Sequence, residues 1–516
     1  MKSLKEKKQG RDMRKPLKVE WIILLGAIIA FSCLYLYNDL AFSSAGGLRV
    51  WNCIAEGKLS LFYWSNYPGV EGSVLPDGSA GGSYDFLIYS IFAVYNFPLW
   101  IWEKITGLSF LSFYPTRLYL KGIIWLFSGF SALLIYKIAV LCGSRKENAI
   151  WGPVLFLTSS LFYTAEITIG GYDIISVTFS LLGIYGFLKK NDKCFLTSFA
   201  VAIATKLFAF WLFIPLLLLR EKKIWKLAVK TLLALSAIII PKLYFALGSQ
   251  AAIAKGVQLG TETLNAATAV SEAPMVVNDV IAHSDIIDEA LFPTDYTAIF
   301  TFLSIDNLPL VFVGMFAVWI CCYFIKRELT GIEVIYLCAV VMSIFMVTVK
   351  LHPYWCILIV PYIILLIILN PGRIKENFLL ELLISAGYVF NKAILYSWCF
   401  SLAQIERMFG PNFRFNYDSE EINLGAYGLE SIVSKLSEKI GIAENNIAHI
   451  FSALFIAGIV LFLYFNYPEK ITDGEVSIGE TEGIRKSMLW RFLFTIFVGC
   501  LPIIGLLLYL SPYSWS

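Results

Sequence analysis

Seven residues of this chain handle protons or phosphate and stand where long apolar runs end: Asp39, Glu166, Asp173, Lys206, Lys350, His352 and Tyr354. A carboxylate at a water–lipid boundary is suited to take the proton of an attacking hydroxyl, and Asp39, Asp173 and Glu166 are the candidates. Ammonium, imidazole and phenol groups neutralise charge developing on a phosphate leaving group, the part expected of Lys206, Lys350, His352 and Tyr354. Ionisable residues at membrane depth are costly to keep, so several at one depth point to function by default. Together they suggest group transfer from a lipid phosphate to a hydroxyl.

Each residue has an ordinary alternative. Asp173 follows Gly170-Gly171-Tyr172 and is well placed to cap the next helix. Lys206, between two short apolar runs, is placed to snorkel from a helix end. Asp39 then merely solvates the end of the first helix, and His352 is a hydrogen-bonded interfacial histidine.

The elements that must position these residues are membrane helices. Hydrophobic residues make up 58% of the 516, aromatics 16% and charged residues only 15%, against about 25% charged in an ordinary soluble domain. Apolar runs of membrane-spanning length recur from end to end without alternating, which excludes barrel strands. The fold class is therefore an all-α polytopic membrane protein with about 13 transmembrane helices and large outer loops. Residues 1–18 carry eight Lys and Arg, which predicts a cytoplasmic N-terminus rather than a nucleic-acid-binding arm. The ten cysteines are scattered, with no Cys-x-x-Cys, and read as small hydrophobes rather than as a metal cluster or disulfide framework.

The first span, 20–37, ends at Asn38-Asp39 and opens an outer segment over 38–112. Within it 84–107 is apolar enough to span, but its tyrosines and tryptophans suit a helix lying at the interface. That choice sets the register of the later spans, at 116–141, 149–165, 172–188, 194–206, 208–219, 224–247, 297–324, 332–349, 353–369, 377–403, 446–467 and 488–511. It puts Arg145-Lys146, Lys189-Lys190, Lys222-Lys223 and Lys326-Arg327 inside, and the outer loop 248–296 carries one lysine against seven acids. The domains are a basic tail over 1–19, a catalytic transmembrane core over 20–370 and a C-terminal transmembrane region over 371–516.

A cytoplasmic N-terminus, a first helix ending in Asp, a long outer loop, an out-to-in helix carrying Arg117, the turn Gly171-Tyr172-Asp173 and the helix end Ala204-Thr205-Lys206-Leu207 occur in that order. With Leu351-His352-Pro353-Tyr354, this pattern resembles the GT-C superfamily of integral-membrane glycosyltransferases, such as protein mannosyltransferases and aminoarabinose transferases. The resemblance covers residues 20–370 in architecture. It implies a GT-C-like fold, with Asp39 matching the first-loop catalytic acid and Asp173 the second-loop acid. It also implies donor-phosphate contacts at Lys206, Lys350 and His352. The acidic neighbour that many members place beside the first-loop Asp is missing here, where Asn38 and Leu40 flank it. So is the Asp-x-Asp of the metal-dependent oligosaccharyltransferases, so no metal and no cofactor are expected.

The expected activity is inverting transfer of a sugar from a polyprenyl-phosphate donor, in the plasma membrane and on its extracytoplasmic face. The acceptor is an envelope glycan, lipid or protein hydroxyl, and Asp39 is the base. One alternative is a polysaccharide polymerase or ligase using polyprenyl-diphosphate glycans, for which Arg407 and Arg414 of the outer loop 404–445 are the available arginines. Another is a transporter or flippase.

Overall fold

A helix pairs its own backbone groups, which a lipid surrounding demands, so the apolar runs become helices. The computed structural model describes residues 26–63 apart from 28, 34 and 37, then 84–110, 114–267, 300, 302–305, 308–396, 404–405, 434–471 and 482–509. Among the described residues six helices are long and apolar enough to cross a membrane, in 86–106, 118–141, 224–248, 331–348, 371–395 and 444–465. Shorter apolar helices accompany them. Strand is limited, among the described residues, to two short antiparallel ladders: β1 (Tyr35–Leu36) with β4 (Gln404–Ile405), and β2 (Ser304–Ile305) with β3 (Leu308–Pro309). The protein is an all-α membrane protein.

The chain runs through α1 (Asn38–Ala55), α2 (Phe86–Thr106), α3 (Tyr114–Leu141), α4 (Trp151–Leu157), a π-helix (Tyr163–Ile169), α5 (Asp173–Leu188), α6 (Asp192–Thr205), α7 (Ala209–Arg220) and α8 (Ile224–Ala267). After β2 and β3 come α9 (Leu310–Phe324), α10 (Gly331–Thr348), α11 (Val360–Leu369), α12 (Ile374–Leu395), α13 (Glu444–Phe465) and α14 (Glu482–Tyr509). Every residue of α11 is buried, so that helix is the middle of the bundle. At the other extreme, only 11% of the apolar stretch of α8 is buried, so α8 is peripheral.

Most expected spans coincide with helices to within a few residues, and four differ. The run 149–165 is not one helix: it breaks after α4 and continues into the π-helix. The run 297–324 begins with the β2–β3 hairpin, and 377–403 gives out at Leu395. The helix expected to end at residue 247 continues to Ala267. The outer segment 38–112 is largely helical, and Asp39 sits in the first turn of α1 instead of opening a loop. The tail 1–19, most of the loop 248–296, Arg407 and Arg414 lie outside the described residues, as do the side chains of Asp39 and Arg117.

Ion pairs tie the short basic loops together at one end of the bundle. Lys190 meets Glu328 at 2.7 Å, Arg220 meets Asp192 at 2.5 Å, and Lys230 reaches Asp192 at 3.2 Å. Gly331 packs against Cys142 at the same end. The α5–α6 hairpin turns there, so its open end, where α5 begins and α6 stops, lies far from the basic loops. The candidate residues collect at that open end.

Candidate functional site

Helix α6 ends at Thr205, and Lys206 has an extended backbone (φ −156°, ψ 114°) leading towards α7. This turns the lysine side chain inward rather than along the helix, towards the first residue of α5. Its Nζ lies 2.8 Å from Asp173 Oδ1, with the two side chains 10% and 1% exposed. One turn deeper, Ser176 Oγ donates to the Ala202 carbonyl at 2.9 Å and fixes the two helices relative to each other. Asp173 does not cap its helix: Tyr172 holds the cap position, and no side chain caps the helix there. Lys206 does not snorkel outward either; its charge is retained by the pair.

Aromatic rings enclose the ammonium. Its Nζ lies 4.9 Å from the Tyr172 ring centroid, 5.7 Å from those of Tyr354 and Trp355, and 5.9 Å from that of Tyr84. Each such contact with a desolvated ammonium contributes about 0.5–2 kcal/mol. These rings come from separate stretches of the chain, assembled by tertiary packing. Tyr172 is delivered by the turn after the π-helix, where Gly170 adopts a left-handed φ of 75°. The N–H groups of Gly170 and Gly171 both donate to the Ala165 carbonyl at 3.0 Å. A Cβ on Gly171 would come within 3.1 Å of Tyr354 Cβ, so a larger residue there would have to push Tyr354 aside by a few tenths of an ångström.

Glu166 lies on the π-helix, an element that often marks functional sites. The residue is 3% exposed, and neither carboxyl oxygen has a hydrogen-bond partner among the described residues. Asp173 and Cys356 lie within electrostatic reach of Glu166.

The turn after α10 supplies the other side. Lys350 is exposed. His352 stacks on Tyr354 at 5.6 Å and meets Trp355 edge-on at 4.9 Å, while its carbonyl accepts from Tyr388 Oη at 2.8 Å. Burial, then the ammonium groups of Lys206, Lys392 and Lys350, push the His352 imidazole down to about 4, so it is neutral at physiological pH. Lys392, on the last turn of α12, lies over Tyr388 at 5.5 Å and Tyr396 at 5.0 Å.

Of the seven candidates, Asp173, Lys206 and Tyr354 are in one cluster, with Glu166 and His352 beside it and Lys350 at its exposed edge. Asp39 joins them only through its backbone neighbourhood: β1, which runs into α1, packs against the π-helix. Sequence reasoning missed Tyr84, Tyr172, Trp355 and Lys392. Tyr172 stood inside the Gly-x-Asp turn and was readable there, whereas the others carry no local signal. The arrangement can hold an anion on its lysines, offer sugar-sized aromatic faces and accept a proton on a carboxylate. Searches of the sequence against protein-family models and characterised proteins find no match.

Proposed function

We propose that the protein is an inverting membrane glycosyltransferase that moves a sugar from a polyprenyl-phosphate donor to a hydroxyl of an envelope glycan, lipid or protein. What carries this reading is the Lys206–Asp173 pair, held in a four-ring cage at the end of the bundle opposite the basic loops. By the positive-inside rule that end faces outward. The middle of α2 supports an interfacial course for that helix: Tyr95 stacks on Tyr119 at 4.7 Å, near the beginning of α3 rather than along its length.

In this reading Lys206 contacts the donor phosphate, with Lys350, His352 and Tyr354 around it. The Trp355 indole N–H, which has no partner among the described residues, adds a donor. The acceptor oxygen attacks the anomeric carbon from the face opposite the phosphate. The bond from carbon to phosphate oxygen breaks as the new one forms, and the polyprenyl phosphate keeps the electron pair. Asp39 takes the hydroxyl proton, while Asp173 holds Lys206 in place until the phosphate arrives.

Membranes containing Asp39→Asn or Lys206→Met and supplied with labelled polyprenyl-phosphate sugar test the assignment. Loss of one electrostatic contact to the developing charge is expected to slow transfer by about 10²–10³-fold. Transfer at near wild-type rate in either variant removes that residue from its role. Transfer only from a polyprenyl-diphosphate glycan favours the polymerase or ligase. The unpartnered Glu166 is the one observation that favours a transporter, and substrate accumulation in sealed vesicles without product would decide for it.

A further inference from the structure

Glu166 has no part in the proposed transfer, yet it sits where a charge is hardest to keep. Both its oxygens are buried and have no hydrogen-bond partner among the described residues, which favours the neutral acid. The turn that folds Gly170 and Gly171 back onto the Ala165 carbonyl brings Asp173 within electrostatic reach of Glu166, and interacting carboxyl groups titrate as a unit. Lys206, Asp173 and Glu166 together therefore sum to zero: an ammonium, a carboxylate and an acid. An anionic headgroup that draws Lys206 away leaves Asp173, 1% exposed, with an uncompensated negative charge beside a second carboxyl.

We propose that Glu166 and Asp173 form a proton-sharing pair, and that binding of a singly charged phosphodiester headgroup at Lys206 is coupled to uptake of one proton by that pair. This rests on Lys206 being a phosphate contact. Before binding, the Lys206 ammonium is balanced by the Asp173 carboxylate and Glu166 is an acid. Afterwards the ammonium is balanced by the phosphodiester, and both Asp173 and Glu166 are acids. One proton enters from water, one O–H bond forms at the pair, and the charge stays at zero in both states. When the anion leaves, Lys206 returns to Asp173 and the proton departs. Glu166 is thus a positioning residue that acts on the lysine through Asp173.

The other groups facing the pair do not supply this proton. Cys356, from the turn after Pro353, is a buried thiol donating to the Leu161 and Pro353 carbonyls at 3.3 Å. His352 is neutral, and Lys392 and Lys350 lie within electrostatic reach of it. Arg491 of α14, the helix packed on the π-helix, is tied to Glu381 at 2.7 Å.

The test is binding of a fluorescent dialkyl phosphate, whose single charge is fixed through the neutral range, to the full chain in nanodiscs as pH is varied. Wild-type affinity should rise by up to about tenfold per unit of acidification where the pair titrates. Asp173→Asn should bind with no pH dependence, and Glu166→Gln should bind with its pH window displaced. A pH-independent wild type, or an unchanged slope in Asp173→Asn, overturns the coupling while leaving the phosphate contact standing. Binding that Lys206→Met does not weaken overturns the phosphate reading and the coupling with it. Infrared spectra of the apo protein in lipid give a separate readout. A carboxylic-acid carbonyl band at neutral pH that Glu166→Gln removes is expected, and its absence from the wild type overturns the role of Glu166.

Discussion

Two buried ion pairs in this bundle are built to opposite plans. Arg491 of α14 grips Glu381 of α12 with two parallel contacts of 2.7 Å, and the side chains are 6% and 3% exposed. Two further N–H groups of that guanidinium go to Thr158 Oγ1 and the Leu155 carbonyl, and Ser159 Oγ donates to Glu381 Oε1 at 3.1 Å. Lys206 and Asp173 meet at 2.8 Å, surrounded by polarizable rings and backed by a carboxyl that has no hydrogen-bond partner among the described residues. A buried pair repays its desolvation only where the geometry is good and the leftover donors and acceptors are satisfied. The first pair meets that condition and serves as a clasp. The second pair has beside it a buried carboxyl, Glu166, that is unsatisfied among the described residues, and such violations gather at functional or strained sites.

Removing one partner from each pair separates the two plans. Arg491→Met should destabilise the folded protein by about 3–5 kcal/mol, because it strands a buried carboxylate and also breaks the guanidinium contacts to Thr158 Oγ1 and the Leu155 carbonyl. Lys206→Met should cost only about 1–2 kcal/mol, because Asp173 left alone can take up a proton. Thermal unfolding in detergent checks both, and equal losses would erase the distinction.

A weaker effect is expected from the cage. Tyr172→Leu removes the nearest ring from the ammonium and should weaken phosphate binding by about 0.5–2 kcal/mol, whereas Tyr172→Phe should retain most of it. Equal loss in both variants would assign the effect to the hydroxyl instead. The effect of His352 is absent at neutral pH and grows only on acidification. Its imidazole is held near 4 in the fold, against an ordinary value of 6.5, so the unfolded chain binds a proton first as pH falls. Stability should therefore decline as pH is lowered from 6.5 towards 4 and be flat above that window. His352→Asn should flatten the decline, and an inflection in wild-type stability near 6.5 that persists in the variant belongs to another group.

Helices α5, α6, α7, α10 and α11 were readable because continuous apolar runs admit little else, and basic residues marked their ends. The meeting of Asp173 with Lys206 was half readable, since both ended short apolar runs on the same side. The break after α4 was not, because Leu157-Thr158-Ser159 is as acceptable inside a membrane helix as at its end. Nor was the cage: Trp and Tyr near a helix end read equally well as interfacial anchors, and only tertiary packing converges four of them on one ammonium. The clasp was hidden for another reason. Glu381 and Arg491 are 110 residues apart, and each alone reads as an ordinary charge near a span.

That separation gives the clasp a meaning in time. At typical synthesis rates of about 5–20 residues per second, Glu381 waits about 5–20 s for Arg491 to be made. Throughout that interval the nascent protein carries a carboxyl group whose counter-charge does not yet exist. The stretch Leu155–Ser159, just before the π-helix, waits with it for the donors of the guanidinium. The last of the described helices is thus the one that locks the ground beneath the site. Until it inserts, the chain has every candidate residue in the bilayer but lacks the bolt that holds Glu166's helix in register.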